Sequence, residues 1–153
     1  MTDYYQDRGD PPLESSSWED QFKMGNYLAN RGDHNRALDC FLTVVEYNPT
    51  HAMSWNNIGV ARLCLSQARE AVLAFEQALK IDSEYRDAYH NRALAYSETG
   101  ELNLAMNDLN HAITLDPEHW ASYKHRSILH QMLGDEEMGF KDYLKFKTLT
   151  EVN

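Results

Sequence analysis

The seven histidines, His34, His51, His90, His111, His119, His125 and His130, are the side chains best suited to metal or acid–base chemistry. A zinc site needs several convergent ligands held by supporting hydrogen bonds. No two histidines follow the His-x-x-x-His pattern that puts both rings on one helical face, and no Glu-x-x-His spacing occurs. His125 and His130, five residues apart, point away from each other on a helix. Histidines scattered over surfaces and helix ends are the expectation. Cys40 and Cys64 lack the spacing of a zinc site or redox pair and read as reduced thiols of a cytosolic protein. A glycine-rich phosphate loop, a Gly-x-Ser-x-Gly elbow and a Ser, His and Asp set that the sequence could bring together are all missing. Neither an enzyme nor a metal or other cofactor is expected.

Recognition is the remaining chemistry, and the elements that would position it are repeated. The stretch from Ala88 to Pro117 recurs at a spacing of 34 residues without a gap. Tyr89, Ala93, Ala105, Leu109, Ala112 and Asp116 fall on Trp55, Gly59, Ala71, Phe75, Ala78 and Asp82 one unit earlier. A further step back gives Gly25, Ala37, Phe41, Val44 and Pro49, and a step forward gives Tyr123, Ser127, Gly139, Tyr143 and Phe146. The units are 18–51, 52–85, 86–119 and 120–153. In the first half of a unit an aromatic precedes a small residue by four, and in the second half buried positions are spaced by four and then three. Both patterns mark one face of a helix. Gly32-Asp33, Ser66-Gln67, Gly100-Glu101 and Gly134-Asp135 separate the halves where a helix must end and an antiparallel one begin. The turn accounts for the Arg31-Gly32-Asp33 tripeptide, and Arg8-Gly9-Asp10 has no secretion signal to carry it to an adhesion receptor. Asn48-Pro49 and Asp116-Pro117 stop the second helix.

This pattern resembles the tetratricopeptide repeat, a 34-residue helix-turn-helix with an aromatic, a Leu-Gly pair, then Ala, Phe and Pro at set offsets. The second and third units match it best. The first has Gln21 where the aromatic belongs, and the fourth has Gly139 where Ala is usual and ends before a Pro. The resemblance implies an all-α, right-handed superhelical solenoid of four antiparallel helix-turn-helix repeats over 15–153, with the first helix of each unit lining a concave groove. It also implies a non-enzymatic module, an adaptor, scaffold or chaperone-like protein that holds an extended or helical segment of a partner.

Groove positions carried over from that family are Phe22, Asn26, Met53, Asn56, Asn57, Val60, Leu63, Asp87, His90, Asn91, Leu94, Lys124 and Ile128. Val60, Leu63, Leu94 and Ile128 would give apolar contact. Asn57 and Asn91, equivalent in successive units, would offer amides to an extended backbone or else tie neighbouring helices together. Relatives that clamp acidic chaperone tails use Lys, Asn, Asn, Lys and Arg. Asn26 and Asn57 fit the amides, but Phe22, Asp87 and Asn91 replace the three cations, so chaperone-tail binding is not expected.

A net charge of −10 argues against nucleic acid and anionic membrane surfaces as partners. No apolar run is long enough to span a bilayer, and the start has neither a basic segment nor an apolar core. A cytoplasmic protein is the expectation. Residues 1–14, with Asp3, Asp7, Asp10 and Glu14 against Arg8, read as a disordered acidic tail. Ser16 and Ser17 ahead of Glu19 and Asp20 mark a helix start. In the last unit Tyr143, Leu144, Phe146 and Leu149 are interleaved with Lys141, Asp142, Lys145 and Lys147. Those charges would solvate a capping helix, while Tyr143, Leu144 and Phe146 would instead pair with a second copy in a homo-oligomer. A homo-oligomerising structural unit and a secretion-type chaperone are the alternative functions.

Overall fold

A computed structural model describes residues 17–151, and the acidic tail expected over 1–14 lies outside them. The described residues form eight α-helices and no strand: α1 (Trp18–Asn30), α2 (His34–Tyr47), α3 (Ala52–Cys64), α4 (Ala68–Ile81), α5 (Arg86–Thr99), α6 (Leu102–Leu115), α7 (Trp120–Met132) and α8 (Glu136–Glu151). Consecutive helices pair as hairpins, α1 with α2 through α7 with α8, and each hairpin packs on the next. The result is an all-α helical-repeat solenoid.

Each hairpin turns through one residue in the left-handed backbone region: Gly32 at φ 80°, Ser66 at 60°, Gly100 at 84° and Gly134 at 81°. Three of the four are glycine because a Cβ there is disfavoured by its own backbone, and no other atom lies within 4 Å of where that Cβ would be. Ser17 caps α1 by accepting from the Asp20 amide at 3.3 Å, and Asp33 caps α2 by accepting from the Arg36 amide at 3.4 Å. Asn48 and Asp116 follow the last residues of α2 and α6, as the prolines after them require.

The small-residue positions set how closely paired helices approach. A Cβ on Gly25 would stand 2.6 Å from the Phe41 ring, and one on Gly59 would stand 2.4 Å from the Phe75 ring. Each aromatic therefore rests on bare backbone, and Phe41 and Phe75 are sealed from solvent. In the third unit Leu109 is smaller, which leaves room for Ala93. Gly139 stands where Ala37, Ala71 and Ala105 are buried in the other units. A Cβ there would meet the Ser127 carbonyl oxygen and Gln131 Cγ at 3.2 Å, so alanine would need these neighbours to give by a few tenths of an ångström.

Candidate groove

The first helices of the units lie on the inner side of the stack. α3 packs directly on α5, and side-chain amides join α1 to α3 and α3 to α5, whereas no two of the second helices pack to that extent. A solenoid bends toward the side whose helices are closest together.

Four asparagines run along that inner side as one bonded chain. Asn91 Nδ2 donates to Asn56 Oδ1 at 3.1 Å, Asn56 Nδ2 to Asn57 Oδ1 at 3.4 Å, and Asn57 Nδ2 to Asn26 Oδ1 at 2.9 Å. Asn57 and Asn91 thus do tie neighbouring first helices together. A primary amide has two donor hydrogens and an oxygen with two lone pairs, so a half-buried amide making one or two such bonds keeps capacity for another partner.

Placement of the other groove candidates is uneven. Met53, Val60, Lys124 and Ile128 are exposed, and Phe22, Leu63, Asp87 and Leu94 are half-buried. Beside Val60, a groove of about 510 Å³ opens between α1 and α3, lined also by Asn26, Asn30, His34 and Asn57. Phe22 is turned into contact with the Phe41 and His51 rings, at centroid distances of 6.0 and 4.9 Å. Asp87 is held by Arg86 Nε at 2.8 Å, and Lys124 stands 5.9 Å above the Phe146 ring. Asn56 and His90, expected to face the groove, are instead buried, at 6% and 8% exposure. The fifth position of a unit faces the next first helix. There Asn56 meets Asn91, and His90 meets Ser122 and His125.

His90 also corrects the expectation of histidines confined to surfaces and helix ends. Its ring lies 4.9 Å from that of His119 and 4.8 Å from that of His125. Ser122 Oγ sits between two ring nitrogens, 3.0 Å from His90 Nδ1 and 2.7 Å from His119 Nδ1. One hydroxyl proton can be donated to only one of them, so the hydroxyl can donate to one imidazole while accepting from the other. Burial above all, with His125, His119 and Arg86 nearby, pushes the His90 pKa down to about 3. Burial lowers His119 and His125 as well. The cluster is a neutral packing unit, and no trio of metal-ligating side chains among the described residues is placed to hold an ion. His51 repeats part of it, bonding Ser54 Oγ through Nδ1 at 2.8 Å from the N-cap of α3, as His119 does from the N-cap of α7. The repeat itself carried that signal, since His51 and Ser54 return two units later as His119 and Ser122, with Tyr85 and Ala88 at the same places between them.

The cysteines take different environments. Cys40 is buried in α2, and that burial, with Asp39 beside it, raises its pKa to about 11, which leaves it a poor nucleophile. Cys64 is exposed at the end of α3. At the far end of the stack Phe146 is half-buried beside Trp120 and Tyr143, at centroid distances of 6.0 and 6.2 Å, whereas Tyr143 and Leu144 are 42% and 49% exposed.

Repeated hairpins of this length, with small residues under aromatics and a left-handed turn residue in each, define a class of helical-repeat protein. Residues 87–119 match the sequence profile of the tetratricopeptide repeat, and the other three hairpins follow the same 34-residue spacing. The chain is 26% identical over 97 residues to a peroxisomal targeting signal receptor of Kluyveromyces lactis, a match covering 63% of this chain and 17% of the receptor. The chain spans less than a fifth of the length of the curated relatives it matches. Among solved structures, MamA superposes with a TM-score of 0.83 at 22% identity, covering 90% of this chain and 81% of that one. The first tetratricopeptide domain of Spaghetti (RPAP3), bound to the HSP90 peptide SRMEEVD, gives 0.75 at 20% identity, covering 76% and 93%. These likenesses concern the fold. No helix among the described residues is long and apolar enough to cross a membrane.

Proposed function

We propose that this protein holds an extended or helical segment of a partner protein against α1, α3, α5 and α7, by apolar contact with Val60, Leu94 and Ile128 and by hydrogen bonds from the spare capacity of Asn57 and Asn91. The observation that carries this reading is the run of amides bonded across three units beside exposed aliphatic side chains. Amides already fixed by their neighbours lose little freedom when they bond a guest backbone, and the aliphatic groups add contact without demanding one sequence. The groove near Asn26 and Val60 is open and mixed in character, which suits a peptide better than a small molecule. The peptide-bound neighbour of the same fold supports the reading, since it makes the geometry one that accommodates a peptide. No row of cations faces the groove at Phe22, Asp87 and Asn91, so its guest is not selected for an acidic end.

Peptides selected from a displayed random library on the immobilised full chain test this. Val60→Arg, at a position already 37% exposed, should leave the fold intact and weaken the selected peptides at least about tenfold. Peptides that bind the Val60→Arg protein unchanged, or a library that yields none, would remove the groove as the site.

A further inference from the structure

The last described helix of the stack, α8, exposes an aromatic side chain, Tyr143, at a place that every other unit buries. Counting by 34, Phe140, Tyr143 and Leu144 occupy the places of Leu38, Phe41 and Leu42 in the first unit, Val72, Phe75 and Glu76 in the second, and Met106, Leu109 and Asn110 in the third. Phe41, Phe75 and Leu109 are at most 1% exposed, while Phe140 is 60%, Tyr143 42% and Leu144 49% exposed. Beside them a groove of about 660 Å³ is lined by Gln131, Glu136, Phe140 and Tyr143. In the two preceding units the equivalent space is filled from the next hairpin, by Ala95 over Phe75 and by Leu129 over Leu109.

What fills those spaces follows one pattern. The covering helix presents Ser54, Ile58 and Ala61 in α3, Ala88, Arg92 and Ala95 in α5, and Ser122, Arg126 and Leu129 in α7. The first of each trio is fully buried and small, so the helix backbone comes close. The middle residue matches what it meets: Arg126 Nη1 donates to Asn110 Oδ1 at 2.7 Å, whereas Ile58 packs in the cluster holding Phe41 and Leu42. The face left open on α8 has Leu144 at that contact and so belongs with the apolar first unit. We infer that this face is a second docking site, and that its occupant is an α-helix of another polypeptide with a small residue, an aliphatic one four later and a small or aliphatic one seven later.

A second copy joined head to tail does not meet that description. Its free first helix, α1, carries Asp20, Met24 and Tyr27 at the three places. Docking it would bury a carboxylate where the stack admits only serine or alanine, and would insert a phenol where it admits alanine or leucine. A buried, unpaired carboxylate costs far more than the apolar contact returns. The site is separate from the inner side of the stack and does not depend on what binds there.

A synthetic peptide of residues 51–65, fluorescein-labelled and stapled between Met53 and Val60, which are exposed in α3, presents the Ser54, Ile58 and Ala61 pattern as a ready-made helix. It should bind the full chain saturably by fluorescence anisotropy. Phe140→Glu and Leu144→Glu, both at exposed positions and each checked by its circular-dichroism melt, should weaken it at least about tenfold, as should Ile58→Asp in the peptide. Absence of binding, or binding unmoved by Phe140→Glu, would overturn the proposal. So would a concentration-dependent dimer of the free chain that Leu144→Glu dissolves, because the face would then belong to a second copy.

Discussion

Arg126 and Asp142 join α7 to α8 through a two-pronged ion pair, Nε to Oδ2 at 2.6 Å and Nη2 to Oδ1 at 2.7 Å, with Asp142 only 3% exposed. Arg92 and Asp108 make the same pair between α5 and α6, at 2.7 and 2.8 Å. The corresponding places hold Ile58 and Ala74 in the second unit and Met24 and Cys40 in the first. One site between paired helices is thus filled either by two apolar residues or by a complete ion pair, never by half of one.

That alternation predicts how the site fails. Asp142→Ala leaves a largely buried guanidinium without its carboxylate and should cost about 3–5 kcal/mol. The double variant Arg126→Ile with Asp142→Ala copies the second unit and should recover most of that loss. Urea denaturation of the two proteins checks it, and a double variant as unstable as the single would show that the pair contributes net stability of its own.

His90 makes stability fall in acid. Its folded pKa of about 3 lies below the ordinary value of 6.5, so the unfolded chain binds its proton first. The contribution is complete above the ordinary value and is lost as pH falls from there toward the folded value. Arg86, and His119 and His125 once they are protonated, oppose protonation of His90, and the carboxylates Asp87 and Asp116 act on the cluster through His119. Between pH 7 and pH 5 the His90 share of the loss should be about 2 kcal/mol. His90→Gln keeps an amide able to bond Ser122 and should flatten the dependence by that amount. Equal slopes in wild type and variant, measured by urea denaturation at both pH values, would locate the acid sensitivity elsewhere.

Period and turn chemistry made the helices legible, because each unit repeats the same requirement. A residue beside Phe75 must lack a Cβ, hence Gly59, and the chain must reverse through a left-handed residue, hence Gly32, Gly100 and Gly134. The inner side was less legible. Asn56 and His90 are polar, so no hydrophobic period marks them as buried, and their burial arises between units rather than within one. The ion pairs span sixteen residues across a turn, beyond any single-helix spacing, although the exchange of Ile and Ala for Arg and Asp between units carried the signal. Leu144 stands where Asn110 and Glu76 stand in other units, and only its exposure distinguishes an open face from a covered one.

Ser66 is the exception among the four turn residues, holding φ at 60° without being glycine. An L-residue in that region is strained by roughly 1 kcal/mol. Ser66→Gly should therefore stabilise the protein by somewhat less, since glycine also loosens the unfolded chain. The reverse change, Gly100→Ser, should destabilise by a similar amount, because its turn has open space for a side chain and only the backbone resists. Thermal melts that move in the same direction for both variants would refute the shared cause.

Asn26 and Asn57 offer the last test, since the 2.9 Å bond between them joins two first helices across a unit boundary. Removing either amide leaves the other half-buried with its bond unmade, so Asn26→Ala and Asn57→Ala should each cost about 1 kcal/mol. The double variant orphans neither partner of that bond, the Asn56 donor to Asn57 being lost in Asn57→Ala and in the double alike, and should cost less than the sum, with a coupling of roughly 0.5–1 kcal/mol. The same cycle on Asn56 and Asn91, 3.1 Å apart, should repeat the result one unit along. Strict additivity in urea denaturation at both boundaries would mean that the amides do not stiffen the stack, and their spacing would then have to be explained by a guest alone.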